Sequence, residues 1–197
     1  MSGTLPSMPG FRSVDILSDI PILSDTSQSG KTQKRVIAGQ LWRASCEYPP
    51  MIRAEFMPIY AFLAKQRGES FQVVFPELAT PRGVGTGSPE IVGAHTVGDD
   101  TIQVRGFPQS QSGILLSGDV LKFGHSKVYM LTEDCDSDGS GEASLKIEPP
   151  LMQSLVDAEL VVVNNVPFTM IIDNDVQEYK TRNPSIYRFS IDLVESL

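Results

Sequence analysis

The segment that begins at Asp134 has the residue types and spacing of half a calcium-binding loop. Three aspartates alternate there and a glycine follows, an order in which carboxylates converge around a cation. The twelfth position of such a loop supplies a bidentate Glu, but this chain has Leu145 there and no helical pattern beside it. We therefore interpret the segment as an acidic, solvated hairpin tip and predict no metal or cofactor. If a cation did bind, its candidate ligands would be Asp134, Asp136, Asp138 and Glu142.

Two glycine-containing segments resemble nucleotide-binding motifs in part. Ser29-Gly30-Lys31-Thr32 matches the end of a P-loop, but Asp25 stands where the first glycine belongs and would repel phosphate. Residues 83–87 hold three alternate glycines without the strand and helix of a dinucleotide site, and we interpret residues 80–89, which also hold two prolines, as a hinge. Neither segment predicts a nucleotide-binding protein.

The nucleophiles and bases of the chain form no recognisable catalytic set. The two histidines, His95 and His125, lie in separate turns, without a spacing typical of zinc ligands and without a GxSxG elbow. Cys46 and Cys135 are too few for a disulfide scaffold, and we expect two buried thiols. We therefore predict a protein that is not an enzyme.

Composition and charge restrict the class of protein. The chain has 197 residues, of which 41% are hydrophobic and 20% charged, as in a folded soluble protein. It has no apolar run of roughly 18 residues, and its N-terminus lacks the pattern of a signal peptide, so we expect neither a membrane segment nor conventional secretion.

The net charge of −8 is divided unevenly along the chain. Residues 83–179 hold 15 acidic and 4 basic residues, whereas residues 1–82 and 180–197 together hold 9 acidic and 12 basic. The acidic middle segment argues against nucleic-acid binding, which requires a basic groove. The difference also predicts two parts with different partners.

The same division appears in the predicted elements. The outer parts contain a strand-like stretch from Lys34 to Glu47 and a helical pattern from Ile52 to Arg67, in which Pro58 lies in the first turn or kinks the helix. Residues 1–10 read as a loose terminal segment. In the middle segment, five or six short apolar runs predict a small barrel or sandwich. These runs are 101–104, 119–123, 127–131, 143–147, 160–163 and 168–172.

The last strand-like stretch, Ile186 to Val194, needs a sheet to join. Because the middle segment reads as self-contained, we expect this strand to return to the N-terminal sheet. Residues 83–179 then form an insertion into a discontinuous domain made of residues 1–82 and 180–197.

Several short patches occur in an order that is similar to a known family. They are Gln40-Leu-Trp42, Tyr48-Pro49, Tyr60-Ala-Phe62-Leu63, residues 71–76, Gly118-Asp119-Val-Leu-Lys122, Lys127-Val-Tyr129 and residues 191–197. Through them the chain resembles the distal tail proteins of long, non-contractile-tailed bacteriophages, in the compact version with an inserted OB-fold. The helix region is shorter than in the pattern of the family.

The resemblance implies a mainly β, α+β fold: a discontinuous β-sandwich domain with one helix and an inserted small OB-like β-barrel. It implies a virion structural protein that forms a hexameric ring between the tail tube protein and the tail-tip or baseplate hub protein. The outer OB-like domain would then hold a fibre or collar protein or contact the host.

Four aromatic residues are candidates for ring-interface anchors or for core positions, and a frame of about 100 residues favours the core. They are Trp42, Phe56, Phe62 and Phe71. The alternative function is a carbohydrate- or cation-binding module that uses the barrel loops around residues 134–142.

Overall fold

The structure is a computed structural model, and it describes residues 3–36, 39–173, 180–182 and 186–197. The chain divides into two compact units. Met1–Val73 and Thr169–Ser196 form the first, which we call the sheet unit, and Val74–Phe168 form the second, the barrel unit. The sequence places these boundaries after Arg82 and after Tyr179, of which Tyr179 lies outside the described residues. Strands dominate both units, which confirms the mainly β prediction.

The sheet unit is built on a five-stranded sheet with strand order β1-β4-β14-β11-β5. β14 pairs antiparallel with β4, which confirms that the C-terminal strand returns to the N-terminal sheet. The predicted strand Ile186 to Val194 is divided at Phe189 into β13 and β14. The elements of the unit are β1 Ser13–Asp19, β2 Ile22–Thr26, β3 Thr32–Val36, β4 Leu41–Glu47, α1 Arg53–Gln66, β5 Phe71–Val73, β11 Phe168–Ile172, β12 Lys180–Arg182, β13 Ile186–Arg188 and β14 Ser190–Glu195.

One face of this sheet forms the core of the unit. Trp42, Ala44 and Cys46 alternate on β4 as buried residues, and Ile191 and Leu193 do the same on β14. Such alternation is typical of an antiparallel sheet that covers a core on one side and faces solvent on the other.

Helix α1 begins at Arg53, five residues before Pro58, so the alternative that places Pro58 in the first turn is wrong. The Glu55 carboxylate accepts a hydrogen bond from the Ile52 N–H at 3.2 Å and so stabilises the first turn. The helix ends at Arg67, which adopts the left-handed conformation of a C-cap at φ 48°.

Two segments of the sheet unit differ from the sequence prediction. The stretch from Lys34 to Glu47 is not one strand: β3 ends at Val36 and β4 begins at Leu41, while positions 37 and 38 lie outside the described residues. Residues 3–5 are not loose either, because Leu5 is buried and its N–H donates to the Gln72 carbonyl oxygen at 2.8 Å.

The barrel unit contains a second five-stranded sheet, with strand order β6-β7-β10-β9-β8. A segment around Leu160 bridges its two edge strands: Val161 N donates to Pro89 O beside β6, and Val162 N donates to Lys122 O on β8. The predicted run 160–163 is thus no regular strand, yet it closes the sheet. The elements of the unit are α2 Pro76–Ala79, β6 Glu90–Ile91, β7 Thr101–Arg105, β8 Val120–Lys122, β9 Val128–Leu131 and β10 Glu142–Glu148.

Two predictions about the middle segment are wrong. The run 168–172 is β11, which pairs with β14 in the sheet unit and therefore does not belong to the barrel. The glycine-rich segment is not a hinge, because Gly85 N donates to Ile114 O at 2.8 Å. A Cβ at Gly83 or Gly85 would overlap the Ile114 carbonyl group, so glycine is required here for close backbone packing.

Cys46 and Cys135 are both buried and form no disulfide, as predicted. Burial raises the pKa of the Cys135 thiol to about 11, so this thiol is protonated at neutral pH. Within the described ranges, neither helix has the length and apolar character needed to span a membrane.

Candidate assembly surfaces

The solvent-facing side of the five-stranded sheet carries side chains in ordered rows across the strands. The pairing of β1, β4 and β14 places Asp15, Ser45 and Asp192 side by side, and we call them the acidic row. The Ser45 hydroxyl donates to Asp192 Oδ1 at 2.7 Å. The row places the carboxylates of Asp15 and Asp192 on an exposed part of the sheet.

The next row is more apolar, and its one cation is already engaged. Arg43 donates to Asp19 and to Asp173, with both N–O distances 2.9 Å. The hydrogen bond to Asp19 and the charge of Asp173 raise the pKa of Arg43. The register places four residues in this row, which we call the mixed row: Leu17, Arg43, Val194 and Ile171.

The β2–β3 hairpin extends from the same unit and buries none of its residues. Every position from Ile22 to Val36 is exposed, including Leu23 at 58% and Val36 at 60%. A two-stranded hairpin has little stability in water by itself. Exposed apolar residues on such an element are typical of a surface that another protein covers.

Strand β1 forms one edge of the sheet. Among the described residues its strand partner is β4, on one side, and the opposite edge at β5 is covered by residues 3–5. An open edge presents backbone N–H and C=O groups that can pair with a strand of another chain. The hairpin follows β1 after two residues, so the open edge and the hairpin adjoin in the chain.

The carboxylates of the barrel unit are directed at loop backbone. Asp134 accepts from Ser117 N at 2.8 Å, and Asp136 accepts from Gly113 N at 2.6 Å. Asp138 accepts from the backbone N–H groups of Ser140 and Glu142, at 2.8 and 2.9 Å. These backbone hydrogen bonds lower the pKa values of Asp134 and Asp138.

The candidate metal ligands are the residues that make these contacts, together with Glu142. Asp134 and Asp136 bind backbone amides of the loop between β7 and β8, Asp138 binds amides just after itself in the chain, and Glu142 begins strand β10 with its side chain exposed. The described residues contain no group of three or more His, Cys, Asp or Glu arranged to hold a metal ion. In this geometry the carboxylates fix the loops of the barrel.

Asp119 has the same role at a buried position. Its side chain is 3% exposed, and its two oxygens accept from the backbone N–H groups of Arg82, Gly83 and Leu116 at 2.9, 3.4 and 2.8 Å. The guanidinium of Arg82 lies 3.8 Å from Asp119 and also donates to the Ser117 carbonyl oxygen. Asp119 therefore holds the glycine-rich segment against the barrel.

The two histidines lie apart, as their sequence positions suggest. His95 Nε2 accepts from Gln103 N at 3.3 Å. His125 lies 3.4 Å from the Tyr129 hydroxyl, and burial lowers its pKa. Glu159 opposes this shift, while Lys122 and Lys127 reinforce it. In the part of the chain that the structure describes, neither ring is hydrogen-bonded to a serine or cysteine.

Comparison with known proteins gives these surfaces a context. Residues 3–78 match the family model described as the N-terminal part of the A domain of distal tail protein pb9. The chain is also 28% identical over 206 residues to the distal tail protein pb9 of Escherichia phage T5. That alignment covers 98% of this chain and 97% of the relative.

The chain is thus similar over nearly its whole length to a siphophage distal tail protein, which confirms the resemblance found in the sequence. A distal tail protein is a component of the virion tail.

The four aromatic candidates lie in the sheet unit at different depths. Trp42, Phe56 and Phe71 are buried, at 6%, 0% and 0% exposure, whereas Phe62 is half-buried against Phe71. The Phe56 ring stacks on Tyr187 with ring centroids 4.8 Å apart. Burial of this kind is expected of core residues, and the role of the four in a ring interface remains a prediction.

The β2–β3 hairpin, a candidate assembly surface, was not predicted from the sequence. Its turn is the Ser29-Gly30-Lys31-Thr32 segment that resembles a P-loop end, and Gly30 adopts φ 79° there. Ser27 N donates to Lys31 O at 2.9 Å and closes the turn. A serine-glycine turn between two β-prone runs was the signal that could have found the hairpin.

Proposed function

We propose that this distal tail protein is the subunit of a hexameric ring that joins the tail tube to the tail tip or baseplate hub. The observation that carries the proposal is the alignment over nearly the whole length to a distal tail protein of another phage. The match to the A-domain model covers residues 3–78, of which residues 3–73 belong to the sheet unit, so we assign ring formation to that unit.

The geometry of the sheet unit supports ring closure. A ring of identical subunits needs a heterologous contact, in which two different patches of the surface meet. The open β1 edge with the adjoining hairpin supplies one patch, because both carry unsatisfied or apolar groups. The exposed face of the sheet supplies a second, different patch.

We propose that the barrel unit is an OB-like domain that faces outward and holds a fibre or collar protein or contacts the host. Its closed sheet leaves loops as its exposed features, and loops are the part of a barrel that varies with the partner. Residues 74–168 hold 13 acidic and 5 basic residues, which favours a basic partner surface. We assign no catalytic activity to either unit.

The proposal is tested on purified virions. Mass spectrometry should detect the chain, and gold-labelled antibodies raised against the barrel unit should bind at the distal end of the tail tube. Antibodies against a major capsid protein serve as the positional control. Absence of the chain from virions, or labelling along the whole tube, would overturn the proposal.

A further inference from the structure

We propose that one face of the β2–β3 hairpin docks on the acidic and mixed rows of a second copy of this chain. The inference rests on the proposed ring and names the two surfaces that form its subunit contact. The hairpin face consists of residues that alternate along the two strands: Ile22, Ser24, Lys34 and Val36.

The strand register defines this face. Ile22 pairs with Val36, and two residues further along Ser24 pairs with Lys34, so the face presents an apolar pair and then a cation. Ile22 is 50% exposed and Val36 is 60% exposed. The apolar pair and the cation are separated by two residues on each strand, or about 7 Å.

The receiving surface repeats the same order with opposite charge. The mixed row presents Leu17, Val194 and Ile171 together with Arg43, whose charge is paired with Asp19 and Asp173. Two residues further along the strands, the acidic row presents Asp15 and Asp192. The spacing between these rows is again about 7 Å. The apolar pair of the hairpin can therefore cover the mixed row while Lys34 lies between the two carboxylates.

Charge and exposure identify the occupant as a second copy. Residues 22–36 hold Lys31, Lys34 and Arg35 against Asp25, so the hairpin is basic, whereas the acidic row is anionic. Within one chain the hairpin residues and Asp15, Leu17 and Asp192 are all exposed, so the hairpin does not cover the rows of its own chain. Opposite charges at these two sites align neighbouring copies and suppress wrong pairings.

The first test measures assembly by sedimentation velocity over a range of protein concentrations. Val36→Asp places a carboxylate against the acidic row and should raise the concentration for half-assembly by more than about tenfold. Leu23→Asp is the matched control, because Leu23 is equally exposed at 58% but lies on the opposite hairpin face. Equal effects of the two variants would overturn the docking face.

A charge exchange tests the partner residues. Lys34→Glu and Asp192→Lys should each weaken assembly, and the chain that carries both should recover it, since the opposite charges are restored. Thermal melting of each variant monitors folding, and Arg35→Glu provides a control with the same change of charge on the opposite hairpin face. Failure of the double variant to recover would overturn the pairing of Lys34 with Asp192.

Disulfide trapping separates this inference from the ring itself. A chain with Lys34→Cys and Asp192→Cys should form covalent oligomers on oxidation, whereas Leu23→Cys with Asp192→Cys should not. Cross-links within one chain would overturn the choice of a second copy. If the variants assemble as the wild-type chain does, the proposed ring stands and the proposed docking surface is wrong. A wild-type chain that stays monomeric up to its solubility limit would contradict both proposals.

Discussion

The two units of this chain differ in how much of their sheet structure is left open to solvent. In the sheet unit, ion pairs and hydrogen bonds link side chains on the exposed face of the sheet. The outer edge of β1 and the hairpin remain open to solvent. In the barrel unit, carboxylates bond to the backbone of neighbouring loops, and a bridging segment closes the sheet. The sheet unit thus leaves exposed the surfaces that we propose to meet other copies, whereas the sheet of the barrel unit is closed.

The largest effect is expected from the core of the sheet unit. Phe56→Ala removes a fully buried ring that contacts Tyr187 and Phe189, and should lower the free energy of unfolding by about 3–5 kcal/mol. Denaturant titration measures the loss. Phe62→Ala is the matched control, and because Phe62 is half-buried its cost should be smaller. Equal costs would contradict the assignment of Phe56 to the core.

A loss of about 2–3 kcal/mol is expected from the buried carboxylate of the barrel unit. Asp119→Ala leaves the N–H groups of Arg82, Gly83 and Leu116 without their acceptor. Asp119→Asn keeps one acceptor oxygen and should retain part of the stability. Hydrogen exchange should increase at residues 82–85 in the alanine variant, and unchanged exchange there would contradict the role of Asp119 in holding this segment.

A smaller, pH-dependent effect is expected at His125. Burial lowers the folded-state pKa of His125 below the ordinary value of 6.5, so the unfolded chain binds the proton more tightly. The stability of the barrel unit should therefore be full above about pH 6.5 and fall as the pH decreases through that value. His125→Gln should flatten this part of the profile in thermal melts from about pH 8 to pH 5. An unchanged slope would show that other groups cause it.

The smallest effect is expected on the exposed face of the sheet. Arg43→Gln removes the ion pairs with Asp19 and Asp173, whose side chains are 46% and 43% exposed. Solvent screens such pairs, so the melting temperature should change little, and less at high salt. A large loss at high salt would indicate that Arg43 contributes through packing.

The sequence predicted the elements whose apolar pattern is regular. The alternation from Ile186 to Val194 predicted a half-buried strand and its return to the N-terminal sheet, and the helical pattern up to Arg67 placed the end of α1. Both succeed because burial on one face repeats with the period of the element. The ordered patches of family resemblance added the tail assignment.

Features set by contacts between distant residues were not predictable in this way. The glycines at 83 and 85 read as a hinge because the Ile114 backbone that packs on them lies about 30 residues away along the chain. The aspartates from Asp134 read as half a metal loop because their partners, such as Ser117 N and Gly113 N, are not visible in a local pattern. The hairpin buries nothing, so no hydrophobic period marks it.

The most direct test of the proposed role is electron cryo-microscopy of the tail end of purified virions. The account predicts a closed ring of six copies of the 21.5 kDa chain between the tube and the tip, with the sheet units in contact and the barrel units outside. A tail end without this chain, or one in which the barrel units form the ring, would contradict it.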